Sequence, residues 1–274
     1  MGCGITNLGT CLVEKLFEFL LYVLNLPVRA LLAIINNLMI EPVNISLFAS
    51  TWSIIIYILS LFYGILLLIT GFRFIISGSS PEQREKAKKS LMNIILMMVL
   101  VQTSYFLYDL ILQVVSSMTS VVYKMIPDTF FLIGSGDFAN IGLELVLIIP
   151  YIAILVLTAI ILALRYICVG MGVIFFALGI FFYFIEPLEA YGKLIINYLG
   201  VLVSLPFFYA IILLASSKFL EAGAFSGMKI LVMIGGFSLI IILTLFLALF
   251  VIFKAANAVA KPVKQITTVV GAMS

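Results

Sequence analysis

The chain has 274 residues, of which 65% are hydrophobic and 10% are charged. Soluble domains have about 45–50% apolar and about 25% charged residues, so these few charges could not cover the surface of so apolar a soluble protein. The composition therefore predicts an integral membrane protein and excludes most soluble enzymes.

The inventory of reactive side chains is short. The sequence has no His, and its three cysteines, Cys3, Cys11 and Cys168, form no CxxC pair. This set excludes a His-dependent catalytic triad and offers no zinc-site spacing. A GxxxxGK[ST] phosphate-binding loop is also absent, so the chain has no Walker site for ATP hydrolysis. We therefore expect no enzyme activity, no metal and no redox cofactor, and the net charge of +3 is too small to indicate nucleic-acid binding by itself.

The first 41 residues differ in pattern from the rest. Apolar residues at helical spacing fall on one face, whereas the charged residues lie elsewhere: Leu12, Leu16, Phe19, Leu20 and Val23 against Glu14, Lys15 and Glu18. Pro27 interrupts this pattern, which resumes over residues 28–40. The pattern predicts that 1–41 forms two short amphipathic helices lying in the membrane interface.

Residues 42–260 are predicted to form a transmembrane helix bundle, because about 20 apolar residues suffice to cross ~30 Å of hydrocarbon. The charge-free runs define six predicted spans: 52–72, 90–108, 145–164, 166–185, 194–217 and 230–253. Residues 261–274 form a short basic C-terminal tail. Polar residues inside the spans are expected to bridge helices: Gln102, Thr103, Ser104, Thr158, Asn197, Ser204, Ser238 and Thr244. The predicted fold class is all-α, a polytopic membrane helix bundle.

The fourth apolar run, 166–185, has two interpretations. It is either a full span or a re-entrant segment, for which its glycines and the following proline would be suited: Gly170, Gly172, Gly179 and Pro187. A full span would place the C-terminal tail outside the cell, and a re-entrant segment would place it in the cytoplasm. The sequence leaves both open and slightly favours six full spans.

A basic loop follows the first predicted span. It contains one third of all lysines and arginines: Arg73, Arg84, Lys86, Lys88 and Lys89. Cytoplasmic loops are enriched in Lys and Arg, so this loop is predicted to be cytoplasmic, with the N-terminus and the acidic stretch 109–144 outside. Ser80 can cap a helix whose first residue is Pro81. The loop either only sets the orientation or also docks a cytoplasmic partner or a polyanion.

Arg165 lies between two charge-free runs of membrane length. If these runs form a hairpin, Arg165 lies at the cytoplasmic turn. If one helix continues through it, an arginine within the membrane requires a polar path or an acidic partner. Glu186 and Glu189 are the nearest acidic residues that follow, so the three residues form either a translocation pathway or a structural ion pair.

Two stretches of the chain resemble components of type IV secretion systems. Residues 71–89 join a glycine-containing helix end to Ser77-Gly78, then to Pro81-Glu82 and Lys86-Ala87-Lys88-Lys89, which resembles the loop of pilin-like hairpins. Residues 162–167, leading to an aromatic segment that ends at Glu186-Pro187, resemble the polytopic inner-membrane channel subunit. Over about residues 50–260 the chain resembles the CedA-like membrane proteins of crenarchaeal DNA exchange, relatives of that subunit.

The resemblance implies a multi-pass channel component of the archaeal plasma membrane, which imports DNA with small membrane subunits and a separate ATPase. The channel would work as an oligomer or with those subunits. One departure is that a DNA pore would carry basic residues along its wall, whereas within the predicted spans only Arg165 qualifies. Two other functions stay open: a small-solute secondary transporter, and a non-conducting scaffold of a secretion or pilus machine.

The orientation is testable by cysteine labelling. With the native cysteines replaced, Gln83→Cys should not react with a membrane-impermeant maleimide in intact cells, whereas Lys124→Cys in the acidic stretch should, because the basic loop is predicted to be cytoplasmic. Labelling of position 83 from outside would overturn this orientation.

Overall fold

A computed structural model describes residues 8–76, 81–133, 141–221 and 228–271. These residues form seven α-helices and contain no strand: α1 (Leu8–Ile40), α2 (Ala49–Ile76), α3 (Pro81–Gln102), α4 (Ser104–Tyr123), α5 (Ile141–Tyr183), α6 (Glu189–Phe219) and α7 (Lys229–Gly271). Short 3-10 helices occupy Ile45–Phe48, Asp128–Phe130 and Glu186–Leu188. The all-helical fold class predicted from the sequence is confirmed.

Six helical segments in the described residues are long and apolar enough to cross a membrane: Tyr22–Ile40, Ile45–Ile76, Ser104–Tyr123, Val146–Tyr183, Glu186–Phe219 and Lys229–Val251. The chain is therefore a membrane protein. The number of segments agrees with the prediction, but the segments themselves differ. The predicted span 90–108 is divided between α3 and α4, and the predicted spans 145–164 and 166–185 belong to one helix. The N-terminal region contains an additional candidate span, Tyr22–Ile40.

The N-terminal region is one helix rather than the two predicted. Pro27 lies inside α1 and does not end it. A proline removes one backbone donor from a helix, and neighbouring segments in a membrane protein can satisfy the carbonyl that this leaves. Asn25, Val28, Ile35 and Met39 are buried on one side of α1, so this helix packs against other protein elements. The interfacial position of 1–41 stays a prediction.

The predicted spans 145–164 and 166–185 are two parts of α5, which has 43 residues. Arg165 therefore does not lie at a hairpin turn, and the run 166–185 is not a separate re-entrant segment. The glycines that suggested a break are positions of close packing: a Cβ at Gly172 would collide with the Tyr108 hydroxyl, and one at Gly179 would lie 3.0 Å from Ile195. Small residues in membrane helices commonly permit such close approach.

The predicted span 90–108 is divided at Thr103, between α3 and α4. The carbonyl of Val99 still accepts from the Thr103 amide, and the Thr103 carbonyl accepts from the Leu107 amide, each at 3.0 Å. Asp109, which follows the predicted span, lies inside α4 and accepts a hydrogen bond from Gln113 at 2.7 Å. Asp109 therefore does not end the helix, and its carboxylate has a donor one turn further on.

The described chain forms two compact units. Unit 1 comprises Met1–Glu41, Val115–Arg165 and Leu205–Leu245, and unit 2 comprises Pro42–Val114, Tyr166–Ser204 and Phe246–Ser274.

The core of unit 2 is formed by α2, α3 and the C-terminal part of α5. Its buried members are apolar: Ile56, Leu59, Tyr63, Ile94, Met97, Val101, Ala177, Ile180 and Phe181. Two hydrogen bonds join α4 to this core. The Trp52 indole donates to Ser104 Oγ at 3.0 Å, and the Tyr108 hydroxyl donates to the Val169 carbonyl at 2.7 Å. The prediction that Ser104 bridges helices is confirmed.

Gly192 in α6 lies directly against the backbone at the end of α5. A Cβ there would collide with the backbone nitrogen of Tyr183 and lie 2.7 Å from the Gly179 carbonyl oxygen, whereas a Cβ at Gly200 in the same helix would meet nothing within 4 Å. Gly192→Ala should lower the free energy of unfolding by about 1–3 kcal/mol, because backbone atoms cannot move aside. Gly200→Ala is the matched control and should leave it unchanged or raise it by up to ~1 kcal/mol. Thermal unfolding in detergent, followed by circular dichroism, measures both, and equal stability of the two variants would contradict this packing.

Candidate functional site: a buried arginine and a basic hairpin

Arg165 is buried near the middle of α5, with 7% of its surface exposed. Among the residues whose burial is described, it is the one charged side chain in the buried class. Burying an arginine among apolar helices is unfavourable unless polar groups face the guanidinium. Of the two positions considered for Arg165 in the sequence analysis, the structure shows the one inside a continuous helix.

One hydroxyl group of unit 1, that of Tyr209, interacts with Arg165, and a second one extends the contact to α7. The charge of Arg165 interacts electrostatically with Tyr209 of α6. The Tyr209 hydroxyl lies 2.6 Å from Thr244 Oγ1 of α7, and Thr244 Oγ1 lies 2.7 Å from the Ile240 carbonyl oxygen. A threonine hydroxyl has one proton, and here it is donated to the carbonyl, so Tyr209 must donate to Thr244. The oxygen lone pairs of Tyr209 remain available to face the positive charge of Arg165.

This arrangement connects α5, α6 and α7 through polar side chains. It confirms the prediction that Thr244 bridges helices. The sequence analysis missed Tyr209, although a tyrosine within an apolar span usually requires a hydrogen-bond partner for its hydroxyl. That rule could have marked Tyr209 as a candidate, but it could not have named Arg165 or Thr244 as its neighbours.

The predicted acidic partners belong to unit 2. Glu186 begins a short 3-10 helix and is exposed. Glu189 forms an ion pair with Lys193 at 2.5 Å, and the Lys193 ammonium lies 5.7 Å from the centre of the Tyr183 ring. Glu189 therefore has a cation one helical turn away. The pairing of Arg165 with Glu186 or Glu189 stays a prediction.

The basic loop forms the end of the α2–α3 hairpin. Arg73 lies in the last turn of α2, and the other four members of the predicted set lie in the first turns of α3: Arg84, Lys86, Lys88 and Lys89. All five are exposed. The Arg84 guanidinium lies 5.8 Å from the centre of the Phe74 ring, a cation–π contact between the two helices.

Pro81, the predicted start, is helical and is the first described residue of α3. The predicted cap, Ser80, lies outside the described residues. The structure thus presents the basic residues on a hairpin whose two helices pack together, and their role in docking stays a prediction.

Residues 44–111 match the family model of the type IV secretion system pilin. The match covers about a quarter of the chain and includes α2, α3 and the start of α4. It relates this part of the chain to type IV secretion systems and contains the hairpin whose loop resembled such pilins in sequence. No curated protein and no solved structure matches the chain.

The hydrogen bond between Tyr209 and Thr244 should stabilise unit 1. Tyr209→Phe and Thr244→Val should each lower the free energy of unfolding by about 0.5–1.5 kcal/mol, and the double variant should lose less than the sum, with a coupling of ~0.6 kcal/mol. Denaturant titration of the purified protein in mixed micelles measures this. Tyr57→Phe, on an exposed part of α2, is the control. Strict additivity of the two substitutions would contradict the hydrogen bond.

Proposed function

We propose that the protein is a membrane channel component of a DNA-transfer apparatus related to type IV secretion, of the CedA-like kind, driven by a separate ATPase. The observation that carries the proposal is the match of residues 44–111 to the type IV secretion system pilin family. The matched hairpin has about a third of the chain's basic residues at its exposed end, which suits an assembly that handles a polyanion.

Arg165 supports the channel part of the proposal. A buried cation in an apolar helix is unfavourable and is usually retained for a function such as an ion or substrate path. Phosphate groups of a passing DNA strand are the natural partners of a planar guanidinium. Small membrane subunits or further copies of the chain would supply the rest of a basic pore wall.

The orientation predicted from the sequence suits this proposal. With the basic end of the α2–α3 hairpin in the cytoplasm, its five exposed cations would face a cytoplasmic ATPase. An apparatus of this kind would act in the plasma membrane.

A non-conducting scaffold is the second candidate. The observation that favours it is the family name itself, because a pilin is an assembly subunit rather than a channel. The two candidates differ in whether the reconstituted protein passes ions or DNA across a liposome membrane.

Substitution of Arg165 tests the channel proposal. Arg165→Ala should reduce DNA transfer between cells by about tenfold to a hundredfold, because hydrogen bonds to a charged group contribute about 1.5–3 kcal/mol. Arg165→Lys keeps the charge but loses the planar fork, so it should reduce transfer partly. Transfer is measured in the native host, with the amount of protein in isolated membranes measured in parallel.

Lys218→Ala is the matched control, because Lys218 is an exposed cation whose ion-pair partner, Glu221, is also exposed. It should transfer DNA normally. If both Arg165 variants are present at normal levels and transfer DNA as the unsubstituted protein does, Arg165 has only a structural role and the channel proposal loses this support.

A further inference from the structure

The segment Pro127–Ile133, here called the plug segment, connects α4 towards α5 in unit 1 and turns its apolar side chains inward. Phe130, Phe131 and Ile133 each have no more than 6% of their surface exposed. Connecting segments normally run over the surface, because their backbone amides and carbonyls need water as a partner. A buried connection requires other partners for its backbone groups.

Side chains from three helices supply these partners. The carbonyls of three consecutive residues, Phe131, Leu132 and Ile133, each accept one hydrogen bond. The donors are the Tyr151 hydroxyl of α5 at 3.1 Å, the Lys229 ammonium of α7 at 2.7 Å and the Asn25 amide of α1 at 2.9 Å, respectively.

Asn25 both donates a hydrogen bond to the plug segment and accepts one from it. Besides donating to the Ile133 carbonyl, it accepts from the Ile133 amide at 3.1 Å. Its carboxamide therefore pairs with the backbone as another peptide group would. Asn25 is itself buried, with 8% exposed, and its two hydrogen bonds join α1 to the plug segment.

Aromatic rings fill the space around the segment. The Phe131 ring stacks on Tyr123 of α4 with centroids 5.9 Å apart, and it lies 6.3 Å from Phe237 of α7. Phe237 in turn lies 6.3 Å from Tyr151 of α5. The plug segment thus lies where α1, α4, α5 and α7 come together.

We propose that the plug segment closes unit 1 and that Asn25 is its latch. The proposal rests on the proposed channel function and adds a closing element to it. Apart from the single 3-10 turn Asp128–Phe130, individual side chains hold the segment in place, so it can leave if those hydrogen bonds break and its phenylalanine rings give up their packing. Opening exposes the backbone of Phe131–Ile133 and vacates the space that the phenylalanine rings fill.

Asn25→Leu tests the latch, since it removes both hydrogen bonds and keeps the volume of the side chain. The chain offers a matched control on the same helix. Asn36 is eleven residues further on, which places it on the same face, and its Oδ1 atom is buried without a hydrogen-bond partner. Asn36→Leu therefore makes the same chemical change without removing a bond to the plug segment.

Two measurements on the full chain are needed. Hydrogen exchange should show the Ile133 amide exchanging about tenfold faster in Asn25→Leu than in the unsubstituted protein, with helical amides of α5 unchanged. Efflux of a small trapped dye from proteoliposomes should also be about tenfold faster in Asn25→Leu. Asn36→Leu should match the unsubstituted protein in both measurements.

The outcomes separate the plug from the proposed function. Faster exchange together with faster efflux supports the plug, even if DNA transfer proves independent of Arg165. Faster exchange without faster efflux shows that the segment is only a structural connection, and unchanged exchange shows that Asn25 is not its latch; either overturns the proposal. Equal efflux from the Asn25 and Asn36 variants, or loss of protection in α5, would mean that general loosening causes the leak, which also overturns it.

Discussion

The structure depends on one constraint: backbone amides and carbonyls within hydrocarbon have no water to bind. Long helices meet this requirement internally, which explains why helices dominate the described residues. Where a helix ends, a side chain from another helix takes over. Ser116 donates to the Ile40 carbonyl at the end of α1, and Asn25 serves Ile133 in the same way. These polar side chains in apolar helices therefore determine where the chain can stop being helical.

The fold class could be predicted from the sequence because it follows from composition and from the length of apolar runs. The helix boundaries could not be predicted in the same way, because a charged residue in an apolar run suggests that the helix has reached water. Asp109 accepts a hydrogen bond from Gln113 within its own helix, and the charge of Arg165 interacts with Tyr209 of unit 1. Neither residue ends a helix. The boundary between α3 and α4 at Thr103 falls within an apolar run, and helical hydrogen bonds continue on both sides of it.

The candidate site, too, could be predicted from the sequence only in part. Arg165 was recognisable as an isolated charge between apolar runs, and the basic hairpin was recognisable by its motif. The neighbours of Arg165 were not recognisable, because closeness in sequence suggested Glu186 and Glu189, whereas Tyr209 is contributed by another helix. Glu189 instead binds Lys193, which is four residues away on the same helix. Polar residues also differ in use: Thr244 reaches another helix, but Thr158 and Ser204 have hydrogen bonds to carbonyls of their own helices.

The length of α5 has a consequence for the surrounding lipid. Its apolar part, Val146–Tyr183, has 38 residues, which extend about 57 Å at 1.5 Å per residue. This is nearly twice the ~30 Å hydrocarbon thickness of a typical bilayer, and a tilt of 40° would still leave about 44 Å to accommodate. The bilayer must therefore thicken around the helix, or other protein surfaces must cover the excess. Such hydrophobic mismatch generally favours thick membrane regions and clustering with similarly long neighbours.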